Sequence, residues 1–321
     1  MNKYLEYLHK YTSNKQVINL LELLNENNDN YVITDMSFNE ENQSLRFYVL
    51  INSKSKQESF DLFSKAIMIL DGKNSTDLTI SIIKDLTFSP KNNQQHFIRV
   101  SHFALEIKSD NIIFKPYCTV DENYPDGDVN YFIGDFLIKL RCIRELIKPL
   151  NSKFMKTFLN GNLWKKYHIQ FGYNIDKNTV ISQKIYFEIP EQNFSLEEVE
   201  EIHQEIISSY RNTEHEQIAI SFVSDMSKIL PIIKKSNYKI HLFSLESNSE
   251  RDNAFRYYIT PLGNNEKYLF NLLFQEELIT EDQFRNLMTD ISEKKLGGFK
   301  IYDVGITFHD KKLRITITYD I

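Results

Sequence analysis

The sequence predicts an α+β fold: a ten-stranded antiparallel β-barrel ringed by α-helices. Three observations carry this prediction. Five segments each read as two runs of β-branched and aromatic residues joined by a short polar turn. Helical stretches fill the gaps between them. No Pro-, Gly- or Ser-rich linker separates one segment from the next, so residues 1–321 read as a single domain.

The hairpins fall at 31–51, 98–120, 167–189, 238–260 and 302–321. Their turns, at 39–42, 108–111, 176–178, 246–252 and 309–312, are rich in Asn, Asp, Ser and Lys. Helices are expected at 58–70 and 78–86, at 134–159 with a break at Pro149, at 265–274 and at 280–291. Ser195 opens a further helix, because Glu198 three residues on completes a capping box, and Thr280 has the look of a second capped start. Antiparallel hairpins leave exposed edges unless the sheet closes. A barrel of this strand number is too wide for its own side chains to fill, so a ligand- or solvent-filled interior is expected.

Composition narrows the function. The chain has 321 residues, with 38 basic against 44 acidic and a net charge of −6, which argues against general nucleic-acid affinity. No apolar window reaches the length of a membrane span, and the polar, helical-looking start at 1–15 lacks the apolar run of a secretory signal. Cys118 and Cys142 read as reduced thiols of a cytoplasmic protein rather than as a disulfide or zinc site. The scattered histidines, His102 among them, show no His-Glu-x-x-His spacing and read as surface or satisfied polar groups. The acidic stretch 121–128 has its glycine out of register for a calcium loop. Nucleotide-binding glycine loops are absent.

One pattern recurs. The second strands of the hairpins carry Arg46-Phe47-Tyr48, Lys115-Pro116-Tyr117, Lys184-Ile185-Tyr186, Arg256-Tyr257-Tyr258 and Arg314-Ile315-Thr316. A basic residue is followed two positions later by Tyr, or by Thr in the last case. Residues i and i+2 share a strand face. The bland reading is a solvated sheet face, which predicts mixed charge signs; here the sign is always positive. A set of cations at one height inside a barrel requires a polyanion between them, and a diphosphate fits. The tyrosines beyond would stabilise a cation through their ring faces and exclude water. Polyanion, then cation, then exclusion of water is the environment in which an allylic diphosphate ionises and alkylates a nucleophile.

These basic-x-Tyr hairpins resemble the barrel of ABBA-type prenyltransferases, built of five αββα repeats. The chain is most similar to the cyanobactin-type peptide prenyltransferases, in 37–56, in the run Ile185 to Phe194, in Phe255 to Tyr258 and in a last strand that ends the protein. The resemblance implies transfer of a dimethylallyl or geranyl group from its diphosphate to a nucleophile on a ribosomal, often cyclic, peptide. It also implies Mg²⁺ held mainly through the diphosphate, with Arg46, Lys115, Lys184, Arg256 and Arg314 binding the diphosphate. Tyr48, Tyr117, Tyr186 and Tyr258 would shield the carbocation. The family's carboxylate on the first strand falls at Asp35, which would take the acceptor's proton or stabilise its developing charge, with Asp in place of the longer Glu. No Asp-Asp dipeptide occurs, so the aspartate-rich motif of the all-helical prenyl synthases is absent. His241, Leu242 and Phe243 are candidates for the closed end of a prenyl pocket. Pro116 inside a strand predicts a local bulge.

Alternatives stay open at this point. A small aromatic molecule could replace the peptide as acceptor. A non-catalytic barrel, including a single-strand nucleic-acid binder, predicts the basic residues on an outer groove instead. No membrane or nucleic-acid partner and a monomeric state are expected.

Overall fold

The computed structural model of the chain describes residues 15–39, 44–53, 55–71, 80–81, 83–84, 87–88, 98–108, 111–120, 168–176, 179–188, 194–248, 254–263, 266–296, 298–309 and 312–320. The start at 1–14, most of the turns, His9, His96, Cys142, the acidic stretch 121–128, the helix expected at 134–159 and most of the one at 78–86 lie outside the described residues.

The chain divides into two compact units: 1–150 with 169–184 and 321, and 151–168 with 185–320. The first holds β1 (Tyr31–Asn39), β2 (Ser44–Ile51), β3 (Ile98–Lys108), β4 (Asn111–Val120), β5 (His168–Asp176) and the first part of β6 (Thr179–Glu188), neighbours in chain order. Two of its helices are α1 (Lys15–Glu26) and α2 (Lys56–Asp71). The second holds the end of β6 and then β7 (Tyr238–Asn248), β8 (Ala254–Pro261), β9 (Lys300–His309) and β10 (Lys312–Asp320). Its helices are α3 (Leu196–Tyr210), α4 (Glu216–Lys235), α5 (Glu266–Gln275) and α6 (Glu281–Leu296). Each unit is a curled antiparallel sheet with helices packed on it.

Period-two alternation decides which face the helices cover. On β8, Phe255, Tyr257 and Ile259 are buried while Arg256 and Tyr258 between them are half-buried. Phe222 of α4 packs 4.9 Å from the Phe255 ring and 5.8 Å from Tyr257, and Tyr210 of α3 meets Phe255 at 5.6 Å. In the first unit Phe63 of α2 meets Phe103 at 6.4 Å and Phe114 at 5.4 Å. Each such pair adds about 0.5–1.5 kcal/mol beyond burial alone. The phenylalanine excess thus serves the helix–sheet interface.

Local signals set the helix starts. Ser195 and Glu198 form the full capping box of α3. At α6 the Thr280 hydroxyl accepts from the Gln283 N–H at 3.2 Å, and Gln283 Oε1 accepts from the Thr280 N–H at 3.0 Å. The third gap holds two helices where the sequence marks one start. Its second, α4, begins at His215 without a side-chain cap and contains Pro231. Burial of Phe222, Met226, Ile229, Ile232 and Ile233 holds it.

The hairpins whose registers are described each carry a bulge near the end away from the turn. The register shifts between Ile33 and Asp35 on β1, between Val100 and His102 on β3, and between Ile240 and Leu242 on β7. In the last hairpin it shifts between Thr318 and Tyr319, which pair with Asp303 and Ile301 and leave Tyr302 extra on β9. The bulge predicted at Pro116 is absent: Phe103 pairs with Pro116 in regular register. The irregularity lies on the partner strand, next to the residue opposite Tyr117. A bulge puts two residues against one and reverses which face the following side chains occupy.

Candidate active site

In the first unit the face away from the helices carries a basic and then an aromatic layer. Arg46 Nη1 donates to the Tyr48 hydroxyl at 3.2 Å, so the i, i+2 spacing is a direct contact. Asp35 stands opposite Tyr48, Tyr48 opposite Ala104, and Ala104 opposite Lys115. The β1 bulge makes this possible. Without the extra residue, Thr34 would face Tyr48 and Asp35 would turn toward the helices.

Lys115 and Lys184 are buried, at 5% and 8% exposure, which a solvated sheet face does not produce. Yet the basic residues are not compensated only by an absent polyanion, as the sequence argument required. Glu106, itself buried, stands opposite Arg46 and accepts from Arg46 Nη2 at 2.7 Å and from Lys115 Nζ. Burial alone would push the Glu106 carboxyl up; the two cations overcome it and hold it well below the usual range. Burial and the Arg46 charge push Lys115 down to about 7, against the pull of Glu106. Arg46 and Lys115 are not level across the strands either. Arg46 shares its row with Glu106 and Ile113, and Lys115 lies one two-residue step further along β4. That offset lets its amine reach back to Glu106.

Tyr48 and Tyr117 lie 6.3 Å apart at 40°. His102 stands opposite Tyr117 and stacks on it, 4.4 Å between centroids at 11°. Burial pushes this imidazole down to about 4, so it is neutral at pH 7. At the same level Leu50 faces His102, and the Val32–Leu50 pair is exposed at 42% and 41%, which opens an apolar edge beyond the aromatic layer.

The second unit repeats the two layers. Arg256 is hydrogen-bonded to Tyr258, with Glu246 and Tyr186 as charge neighbours. Tyr186 and Tyr258 lie 6.0 Å apart at 47°. Arg314 stands opposite Thr307, and Thr316 shares a row with Gly305 and Tyr258, so the Thr of the fifth pattern takes the tyrosine's level. A Cβ on Gly305 would lie 3.3 Å from the Tyr258 ring. Of the three residues expected in a prenyl pocket, Leu242 stands opposite Tyr258 on this face. Phe243 faces the helices instead, at 1% exposure against Phe187, Phe255 and Tyr257. Strand alternation requires this once Leu242 faces the other way. His241 is the bulge residue; its Nε2 lies 3.9 Å from Asp303 Oδ2.

Reading the second strands alone missed Glu106, His102 and a run of small residues on the first strands. Tyr48, Tyr117 and Tyr258 each stand opposite a small residue: Ala104, Gly172 and Gly305. Gly172 and Gly305 inside strand patterns were the available signal.

Among the described residues no group of three or more His, Cys, Asp or Glu side chains is placed to hold a metal ion. Among them, too, no helix is long and apolar enough to cross a membrane.

No protein-family model and no curated sequence matches the chain. Solved structures do match. The crystal structure of 6-dimethylallyltryptophan synthase from Micromonospora olivasterospora in complex with DMASPP and Trp is similar with a TM-score of 0.56 at 12% identity, covering 91% of this chain and 81% of that one. A 6-dimethylallyl tryptophan synthase is similar with a TM-score of 0.56 at 12% identity, covering 89% of this chain and 79% of that one. At this identity the likeness shows the fold, and the fold is that of the ABBA-type prenyltransferases.

Proposed function

We propose that the protein transfers a prenyl group, dimethylallyl or geranyl, from its diphosphate to a small aromatic acceptor. The observation that carries the reading is the repeated layering on the face away from the helices: cations, buried at Lys115 and Lys184 and half-buried at Arg46 and Arg256, then paired tyrosines two residues on, in both units. Its support from outside is the fold shared with synthases whose names specify dimethylallyl transfer to tryptophan.

The roles follow from charge. Arg46, Lys115, Lys184, Arg256 and Arg314 take the diphosphate and stabilise its charge as the C–O bond breaks. Tyr48, Tyr117, Tyr186 and Tyr258 face the allylic cation and exclude water from it. Asp35, level with Tyr48, takes the acceptor's proton or steadies its developing positive charge. Mg²⁺ fits as an ion carried by the diphosphate, where it would neutralise the leaving group. Glu106, the carboxylate beside the first unit's basic layer, is already engaged by two cations and does not serve as its ligand. The peptide acceptor of the cyanobactin resemblance is a second reading, favoured by the exposed Val32–Leu50 edge, which suits a bulky substrate.

The test is incubation with dimethylallyl or geranyl diphosphate, Mg²⁺ and a panel of tryptophan, indole, tyrosine, and cyclic and linear peptides. A mass gain of one prenyl unit on a small aromatic is the expected result. Gain on peptides alone replaces the first reading by the second. No turnover, and no diphosphate binding by calorimetry, overturns both.

A further inference from the structure

His102 is a titratable group, half-buried in the aromatic layer, that the roles above leave unused. It lies on β3 directly opposite Tyr117, stacked on that ring at 4.4 Å. A neighbouring hydroxyl orients its ring. The Ser101 hydroxyl accepts from Thr119 Oγ1 at 2.6 Å and donates its own proton to the Tyr117 carbonyl at 3.5 Å. Ser101 Oγ also lies 2.9 Å from His102 Nδ1. Base chemistry at this ring requires the tautomer in which Nδ1–H donates to Ser101 Oγ and Nε2 keeps its lone pair. Ser101 is the extra residue at the β3 bulge, so the bulge supplies the group that orients the ring. On the sheet, Arg46 and Glu106 form the first layer, Tyr48 and Lys115 the second, and His102, Tyr117 and Leu50 the third. His102 is therefore displaced from the cations toward the exposed apolar Val32–Leu50 edge.

The geometry points to His102 Nε2 as the base that accepts the proton lost by the aromatic acceptor, with Ser101 as its positioning residue and Asp35 left to steady the acceptor's charge. This assignment rests on the prenyl-transfer reading above. The donor's C–O bond breaks and its electron pair leaves on the diphosphate. An electron pair of the acceptor ring forms the new bond to the prenyl carbon. The C–H bond at the alkylated carbon then breaks and its electrons restore the ring. The proton passes to Nε2 and from the imidazolium to solvent. An alkylated, cationic ring is a strong acid, so a weak base suffices, and the low basicity that burial confers on His102 favours release of the proton afterwards. The imidazolium is stabilised in the meantime by the Tyr117 face.

The test uses the full chain, dimethylallyl diphosphate and an acceptor on which the wild type turns over in the panel above. Transfer and acceptor-independent release of diphosphate are measured in parallel. For His102→Gln, transfer is expected to fall about 100-fold or more, with diphosphate release and donor affinity held within about twofold. For His102→Ala, added imidazole is expected to restore part of the transfer, a response that a packing defect does not give. Should both variants unfold, Ser101→Ala keeps the ring and removes its orienting contact; about a tenfold loss of transfer at unchanged diphosphate release supports the assignment. Full transfer in whichever of these variants fold, or loss of transfer and diphosphate release together, overturns it while leaving the prenyl-transfer reading intact. A wild type that turns over on no acceptor overturns that reading, and the His102 assignment falls with it.

Discussion

The two units carry the same layers but balance their charges differently. In the first, Arg46 and Lys115 converge on the buried Glu106 carboxylate, and Lys115 sits near its titration point. In the second, Arg256 and Arg314 stand on either side of Thr307's strand, and the carboxylate near Arg256 is the half-buried Glu246. The first sheet's cations are therefore partly neutralised by a buried carboxylate; in the second, the carboxylate beside Arg256 is less buried. The difference teaches that a repeated motif need not have repeated energetics. The same basic-x-Tyr pattern is tied to a buried carboxylate in one place and lies beside a half-buried one in the other.

The largest expected effect tests that contrast directly. Glu106→Gln strands the buried Lys115 and the half-buried Arg46 and should lower stability by about 3–5 kcal/mol in denaturant unfolding. Glu246→Gln should cost less than about 1 kcal/mol. Equal losses would erase the distinction. Next is donor affinity by calorimetry. Arg256→Ala should weaken inorganic diphosphate by about 10–100-fold, one charged hydrogen bond or more. Lys115→Ala should weaken it less, because Glu106 already engages that amine. Diphosphate affinity left unchanged by both would sink the basic residues as the donor site.

Gly305→Ala should shift the Tyr258 ring by a few tenths of an ångström and cost about 1 kcal/mol, the low end for overpacking. The reciprocal change in the first unit, Ala104→Gly, removes a methyl group without crowding Tyr48. A lowered kcat in Gly305→Ala with donor affinity retained would tie the second tyrosine pair to the chemical step. The smallest effect is protonic. Lys115 is held down to about 7 in the free protein, and a bound diphosphate favours its charged form. Binding at pH 8 should therefore take up a fraction of a proton, seen as a heat that varies with buffer ionisation enthalpy, and affinity should fall as pH rises through 7. In Lys115→Met that contribution should vanish.

The hairpins, the capping boxes at Ser195 and Thr280, and the shared face of Arg46 with Tyr48 were legible in the sequence because each depends on neighbours along the chain. Glu106, His102 and the small residues opposite the tyrosines were not. Their meaning depends on register between strands, and register here passes through bulges that no period-two count registers. Phe243 shows the cost of counting without that register: it neighbours Leu242 in sequence and lies on the other side of the sheet. The uncapped, proline-containing α4 escaped for a different reason, since its stability comes from tertiary burial rather than from end signals.

The bulges have a consequence for how such a protein can change. On β1 the positions facing away from the helices are odd-numbered above the bulge, at Asp35 and Ser37, and even-numbered below it, at Val32. The two ends of each bulged strand thus keep separate parity. A single-residue insertion or deletion at the bulge turns the whole outer end of the strand over while leaving the Arg46 level in phase. Under the proposed prenyl transfer, acceptor preference would then be open to revision by one-residue length changes that leave the Arg46 level in place.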